Sequence, residues 1–109
     1  MINFDTFRSN IESELMKYGF IKEDYIFTTS FVLGEFVIYT IEHRFGKKDI
    51  WYRNTLLGYM NRVMFDKNLE TTQEEWDKAS KSITNVIAEY KNYCIKTKLD
   101  EIEKDFKNA

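Results

Sequence analysis

Proline is absent from the 109 residues, glycine occurs four times, and cysteine and histidine occur once each. Each scarcity removes something. A lone cysteine forms no internal disulfide, and one cysteine with one histidine cannot supply the usual ligands of a zinc site. Four glycines, none clustered, leave no phosphate-cradling loop. No uninterrupted apolar run approaches the 18 residues or so that a membrane span needs. The chain does not open on a charged leader followed by an apolar run and a small-residue cleavage site, so a cytoplasmic protein is expected. Alanine is scarce while Ile, Lys, Asn, Phe and Tyr abound, the bias of AT-rich codons and of a bacterial or phage source.

What is present is packing material. Hydrophobic residues make up 43% and aromatics 17%, too rich for disorder, and the length fits one small domain over residues 1–109. The net charge is −2, so no global basic field draws the chain onto nucleic acid or lipid. Charge is unevenly spread. Residues 44–67 hold a local excess of four positive charges and residues 70–77 four acids with no base. The acids surround the start of a predicted helix, where its dipole favours them.

That helix organises the chain. Thr72 and Glu75 fit a capping box, and from Gln73 onward the sequence lacks Gly and Pro. Trp76, Ala79, Ile83, Val86, Tyr90 and Tyr93 recur at spacings of three and four, with Ile87 and Cys94 at the stripe's edge. Cys94 is expected as a small buried hydrophobe. Ile95, Leu99, Ile102 and Phe106 then follow a second, offset register. Either the helix turns a new face or it breaks near Thr97. An unbroken helix over 72–107 would be roughly 50 Å long, against a diameter of roughly 34 Å for a compact domain of this size. It would leave the core from about residue 97. Its exposed Leu99, Ile102 and Phe106 then predict a homodimer, whereas a break predicts a monomer.

Upstream, Phe4, Phe7, Ile11, Leu15 and Tyr18 mark an amphipathic helix, with Asn3 or Asp5 as cap and Gly19 at its end. Residues 25–45 are β-branched and aromatic. A hairpin turning at Gly34-Glu35 would pair Leu33 with Phe36, Phe31 with Ile38, Thr29 with Thr40 and Phe27 with Glu42. It would put Phe27, Phe31, Leu33, Phe36 and Ile38 on one face, and Tyr39, Ile41 and His43 on the other. A helix from Ser30 to Phe45 is the rival, giving an all-α chain. Gly46-Lys47-Lys48-Asp49 reads as a turn, Ile50-Trp51-Tyr52 as a short third strand, and Leu56, Met60, Val63 and Met64 as one face of a short helix. The fold class expected is α+β: a helix, a hairpin or three-strand antiparallel meander, a short helix and a long C-terminal helix.

No residues converge on a reaction, so no cofactor, metal or catalytic residue is assigned. A small enzyme centred on His43 remains one alternative, although strand alternation turns His43 and Glu42 to opposite faces. The one constellation with binding chemistry is Arg44, Phe45, Lys47, Lys48, Trp51, Tyr52, Arg53, Tyr59 and Arg62. Aromatic rings beside cations serve protein hot spots and also single-stranded nucleic acid. The acidic chain favours a protein partner: a stoichiometric binding module of the inhibitor, immunity or phage-modulator kind. A nucleic-acid accessory using residues 44–62 is the other alternative.

Overall fold

In the computed structural model, which describes residues 1–107, both helices pack on one face of a five-stranded antiparallel sheet. The chain is α+β. Strand β1 (Ile2–Asn3) leads into α1 (Phe4–Lys17), followed by β2 (Ile21–Asp24), β3 (Thr28–Leu33), β4 (Phe36–Arg44), β5 (Lys47–Arg53), β6 (Met60–Arg62), β7 (Glu70–Thr71) and α2 (Gln73–Lys107). β2 to β6 lie side by side in chain order, while β1 pairs with β7 and ties the two helix starts together.

Helix α1 follows its sequence closely. The Asn3 side chain accepts the Thr6 N–H at 2.8 Å, Phe4, Phe7, Ile11 and Leu15 are buried while Tyr18, the last of the expected stripe, is an exposed C-cap, and Gly19 takes the left-handed conformation (φ 84°) that ends the helix. An unsatisfied first turn is avoided at its other side too, because the Phe4 N–H donates to the Leu69 carbonyl at 2.8 Å.

The hairpin forms where expected, with one residue more than expected. Leu33 pairs with Phe36 and Val32 with Val37, but Phe31 then faces Tyr39, Ser30 faces Thr40 and Thr29 faces Ile41. The extra residue in β4 is a bulge at Ile38, which lets Ile38 and Tyr39 both reach the core. Every later side chain changes face, so Tyr39, Ile41 and His43 stand on the helix side with Phe31 and Thr29. Phe27 lies outside the ladder and packs its ring on Phe45 at 5.5 Å. The β4–β5 turn is Phe45-Gly46 alone, and Lys47, Lys48 and Asp49 already belong to β5.

The short helix expected after Asn54 is absent. Residues 55–58 turn, β6 pairs Trp51 with Arg62 and Arg53 with Met60, and Leu56 and Val63 plug the core from irregular backbone. Pairing explains the preference, since without β6 the edge of β5 would be left open. Gly58 and the exposed Met64 break the helical stripe that the spacing suggested.

Helix α2 is unbroken past Thr97. The Thr72 hydroxyl accepts the Glu75 N–H at 3.2 Å, while the Glu75 carboxylate turns to the Met64 N–H instead of back to the cap. Ala79, Ile83 and Val86 are buried, and Trp76 meets Phe7 edge-on at 5.1 Å. The Tyr39 hydroxyl joins the Ala79 carbonyl and the Ser82 hydroxyl, 2.8 Å away, in a wholly buried cluster that locks β4 to α2. Tyr93 is partly exposed yet keeps its ring against Phe36 at 5.2 Å, and Cys94 is exposed rather than buried.

From Lys91 to Phe106 every side chain is exposed, a stretch of roughly 24 Å. The molecule accordingly measures 63 × 29 × 24 Å. Among the described residues no helix is long and apolar enough to cross a membrane.

Candidate functional site

The basic and aromatic residues of 44–62 do not form one surface. The pleat of β5 sends alternate side chains to opposite faces, and the turns at its two ends are a strand length apart. Tyr52 is 4% exposed and stacks on Tyr39 with centroids 5.7 Å apart. It is a core residue, with its phenol pushed up by burial and then by the Glu75 carboxylate. Lys48 sits by α1, its ammonium 3.9 Å from an Asp5 oxygen and 5.6 Å from the Phe4 ring centre. Tyr59 is almost fully exposed in the β5–β6 connection at the far end of the sheet.

Trp51, Arg53 and Arg62 do share a place, the sheet face that neither helix covers. The Arg62 guanidinium lies 5.9 Å from the Trp51 ring centre and donates to Asp49, at 2.7 Å from its terminal nitrogen and 2.9 Å from Nε. Asp49 is 4% exposed, so one of the cations of this face is already neutralised by a buried carboxylate. Arg53 is also engaged, through the Leu56 carbonyl at 3.3 Å and the Met60 sulfur at 3.2 Å.

At the end of the sheet where β2 joins β3 and β4 joins β5, a different group assembles. Phe45 and Gly46 are the two central residues of the turn, with φ of 38° and 78°. A two-residue turn with both φ positive is the one that matches strand twist, and it favours Asn or Asp before Gly. Phenylalanine there is strained by roughly 1–2 kcal/mol, because its Cβ crowds the following carbonyl. That Phe45 is also 90% exposed, with Ile26 at 84% and Tyr25 at 58% beside the neighbouring turn. The Phe27 ring lies 5.5 Å from that of Phe45, centre to centre, and holds the Arg44 guanidinium at 4.8 Å. Tyr25 is fixed by its hydroxyl donating to Glu23 at 2.8 Å, and that carboxylate pushes the phenol up. The result is an apolar tip rimmed by Arg44 and Lys47. Of this tip the sequence pattern singled out Arg44, Phe45 and Lys47. It missed Tyr25, Ile26 and Phe27, whose only signal was an apolar run beginning before the strand proper.

A cleft of about 450 Å³ lies between α2 and the β5–β6 side, lined by Tyr52, Asn61, Arg62, Glu75, Lys78 and Lys81 among others. Its ions are largely spoken for, with Arg62 on Asp49 and Lys78 on Glu74 at 3.5 Å. His43 also acquires neighbours. Its Nε2 is 3.4 Å from the Thr29 hydroxyl, which donates to Asp24 at 2.9 Å. The order is unlike a nucleophilic triad, in which the carboxylate orients the histidine, and the Thr29 hydroxyl belongs to a residue only 1% exposed. Among the described residues no three His, Cys, Asp or Glu side chains are grouped to hold a metal ion.

Comparison with protein-family models, with curated proteins and with solved structures returns no match.

Proposed function

We propose that this chain is a small non-catalytic protein-binding module, of the stoichiometric inhibitor, immunity or modulator kind, that engages its partner with the tip formed by Tyr25, Ile26, Phe27, Arg44 and Phe45. The observation that carries the reading is Phe45, strained in its backbone and 90% exposed in its side chain. Folding gains little from that placement beyond the exposed contact with Phe27, and asparagine would relax the turn. Strain kept at an exposed ring is what a contact made in a complex would account for. Aromatic and arginine side chains side by side have the composition of a binding hot spot. A cytoplasmic location suits the exposed Cys94 thiol, which a reducing compartment preserves.

The test is affinity capture from the source cells with three baits: the intact chain, Phe45→Asn and Tyr59→Ser. A protein retained in stoichiometric amount by the intact chain and by Tyr59→Ser, and lost with Phe45→Asn, is the expected result. Equal capture by Phe45→Asn removes the tip from the interface.

One observation favours a second reading. Trp51 stands on an uncovered sheet face beside Arg62, an arrangement on which a single-stranded base could stack. Binding of an oligonucleotide at about 150 mM salt, abolished by Trp51→Ala, would decide for it.

A further inference from the structure

Because α2 runs unbroken, the change of register along it is a change of face. At 3.6 residues per turn, Ile95, Leu99, Ile102 and Phe106 point roughly 160° away from the side on which Ala79, Ile83 and Val86 meet the core. The exposed stripe therefore looks outward, away from the sheet. No bending of the extension toward its own domain would cover it.

We propose that this outward stripe is a self-association surface, on which two copies of the chain pair their α2 extensions antiparallel. The spacings of four, three and four match the alternating d and a positions of a coiled-coil seam. Reversing a second helix about an axis between Asp100 and Glu101 stacks Ile95 on the partner's Phe106 and Leu99 on the partner's Ile102, giving four apolar layers. The flanks then decide the direction. Lys96 and Glu103 occupy one flank, Lys98 and Asp105 the other, and all four are exposed. Antiparallel pairing sets each flank against itself, so Lys96 meets the partner's Glu103 and Lys98 meets the partner's Asp105, each twice by symmetry. Every pair is opposite in sign.

A parallel pair would be worse matched. It joins Lys98 to the partner's Glu103 but also Lys91 to the partner's Lys96, and it continues the seam back through Lys81 and Lys78, each against its own copy. The antiparallel overlap of residues 95–106 lies wholly within the exposed part of α2, which puts the folded bodies at opposite ends of the seam. The seam is short, so the association is weak, with a dissociation constant roughly in the micromolar range or above. This inference is independent of the tip.

Sedimentation equilibrium of the intact chain over about 10–500 μM tests it, with far-ultraviolet circular dichroism to confirm that each variant is folded. A monomer–dimer equilibrium is expected, abolished by the double change Leu99→Ser with Ile102→Ser. Lys96→Glu should weaken the dimer roughly three- to tenfold, and adding Glu103→Lys should restore it. A chain monomeric throughout the range, or a dimer indifferent to the serine substitutions, overturns the proposal. A dimer tightened by Lys96→Glu is parallel and overturns the orientation.

Discussion

The phenol ring of Tyr90 occupies the space that a Cβ on Gly34 would need. Gly34 also holds a φ of 63°, so the β3–β4 turn meets two demands at once, a left-handed backbone and the close approach of α2. Gly34→Ala should therefore destabilise the fold by about 2 kcal/mol, more than turn strain alone would give. Urea titration measures it. Combining Gly34→Ala with Tyr90→Ala should cost less than the sum of the two changes, and strict additivity would deny the contact.

At the opposite end of the sheet the sign reverses. Phe45→Asn should raise stability by about 0.5 kcal/mol, because asparagine tolerates the positive φ that Phe45 endures and the relief outweighs the lost contact with Phe27. The same substitution is expected to abolish partner capture. A variant both more stable and unable to bind distinguishes a functional strain from an accident of the turn, and thermal melting of the isolated chain supplies the first half.

Asp49 and Arg62 should respond unequally to removal. Asp49 is buried while the Arg62 side chain is half exposed. Arg62→Ala leaves a carboxylate without its partner in the protein, at about 2–3 kcal/mol, whereas Asp49→Ala leaves an arginine that water can solvate, at about 1 kcal/mol. Equal losses in denaturant titrations would show that the pair behaves as an ordinary surface bridge.

Tyr39 predicts a response to alkali. Burial raises its phenol far above the ordinary 10.0. The unfolded chain thus releases a proton near pH 10 that the folded chain keeps, and the stability present below that pH is lost as pH rises. Tyr39→Phe should cost about 1 kcal/mol at neutral pH by removing the hydroxyl cluster with Ser82 and Ala79. It should also flatten the fall in stability above pH 10. Phenolate absorbance followed against pH should show Tyr39 titrating only with unfolding.

These predictions rest on features of differing legibility. The α1 stripe, its Asn3 cap, the Thr72 cap and the length of α2 could be read directly, because helix periodicity and capping are local. Strands β3, β4 and β5 were recognisable from β-branched and aromatic texture, whereas β2, exposed at all four residues, and β6, read as part of a helix, carried no such signal. Their register was not, because the bulge at Ile38 answers to packing against α2 rather than to any neighbouring residue. That single residue moved Tyr39 from the predicted outer face into the core. Tyr52 followed the same logic, since a basic and aromatic run says nothing of which side of a pleat each member takes. Leu56 and Val63 looked helical because a loop that plugs a core also needs apolar residues a few positions apart. The tip of Tyr25, Ile26, Phe27 and Phe45 brings together two turns about twenty residues apart, and only the sheet makes them neighbours.

The unbroken course of α2 also says how its exposed half comes to be ordered. A segment the length of 91–106, without alanine, is at best marginally helical alone in water, since the first turn costs far more than each later residue returns. Here the first turns are supplied by the core-packed half, and the extension only propagates from them. Amide exchange should accordingly be slow through Val86 and quicken steadily toward Phe106, with no step at Thr97. Self-association would reverse that gradient, because the residues least protected in a single copy are the ones a second copy would cover.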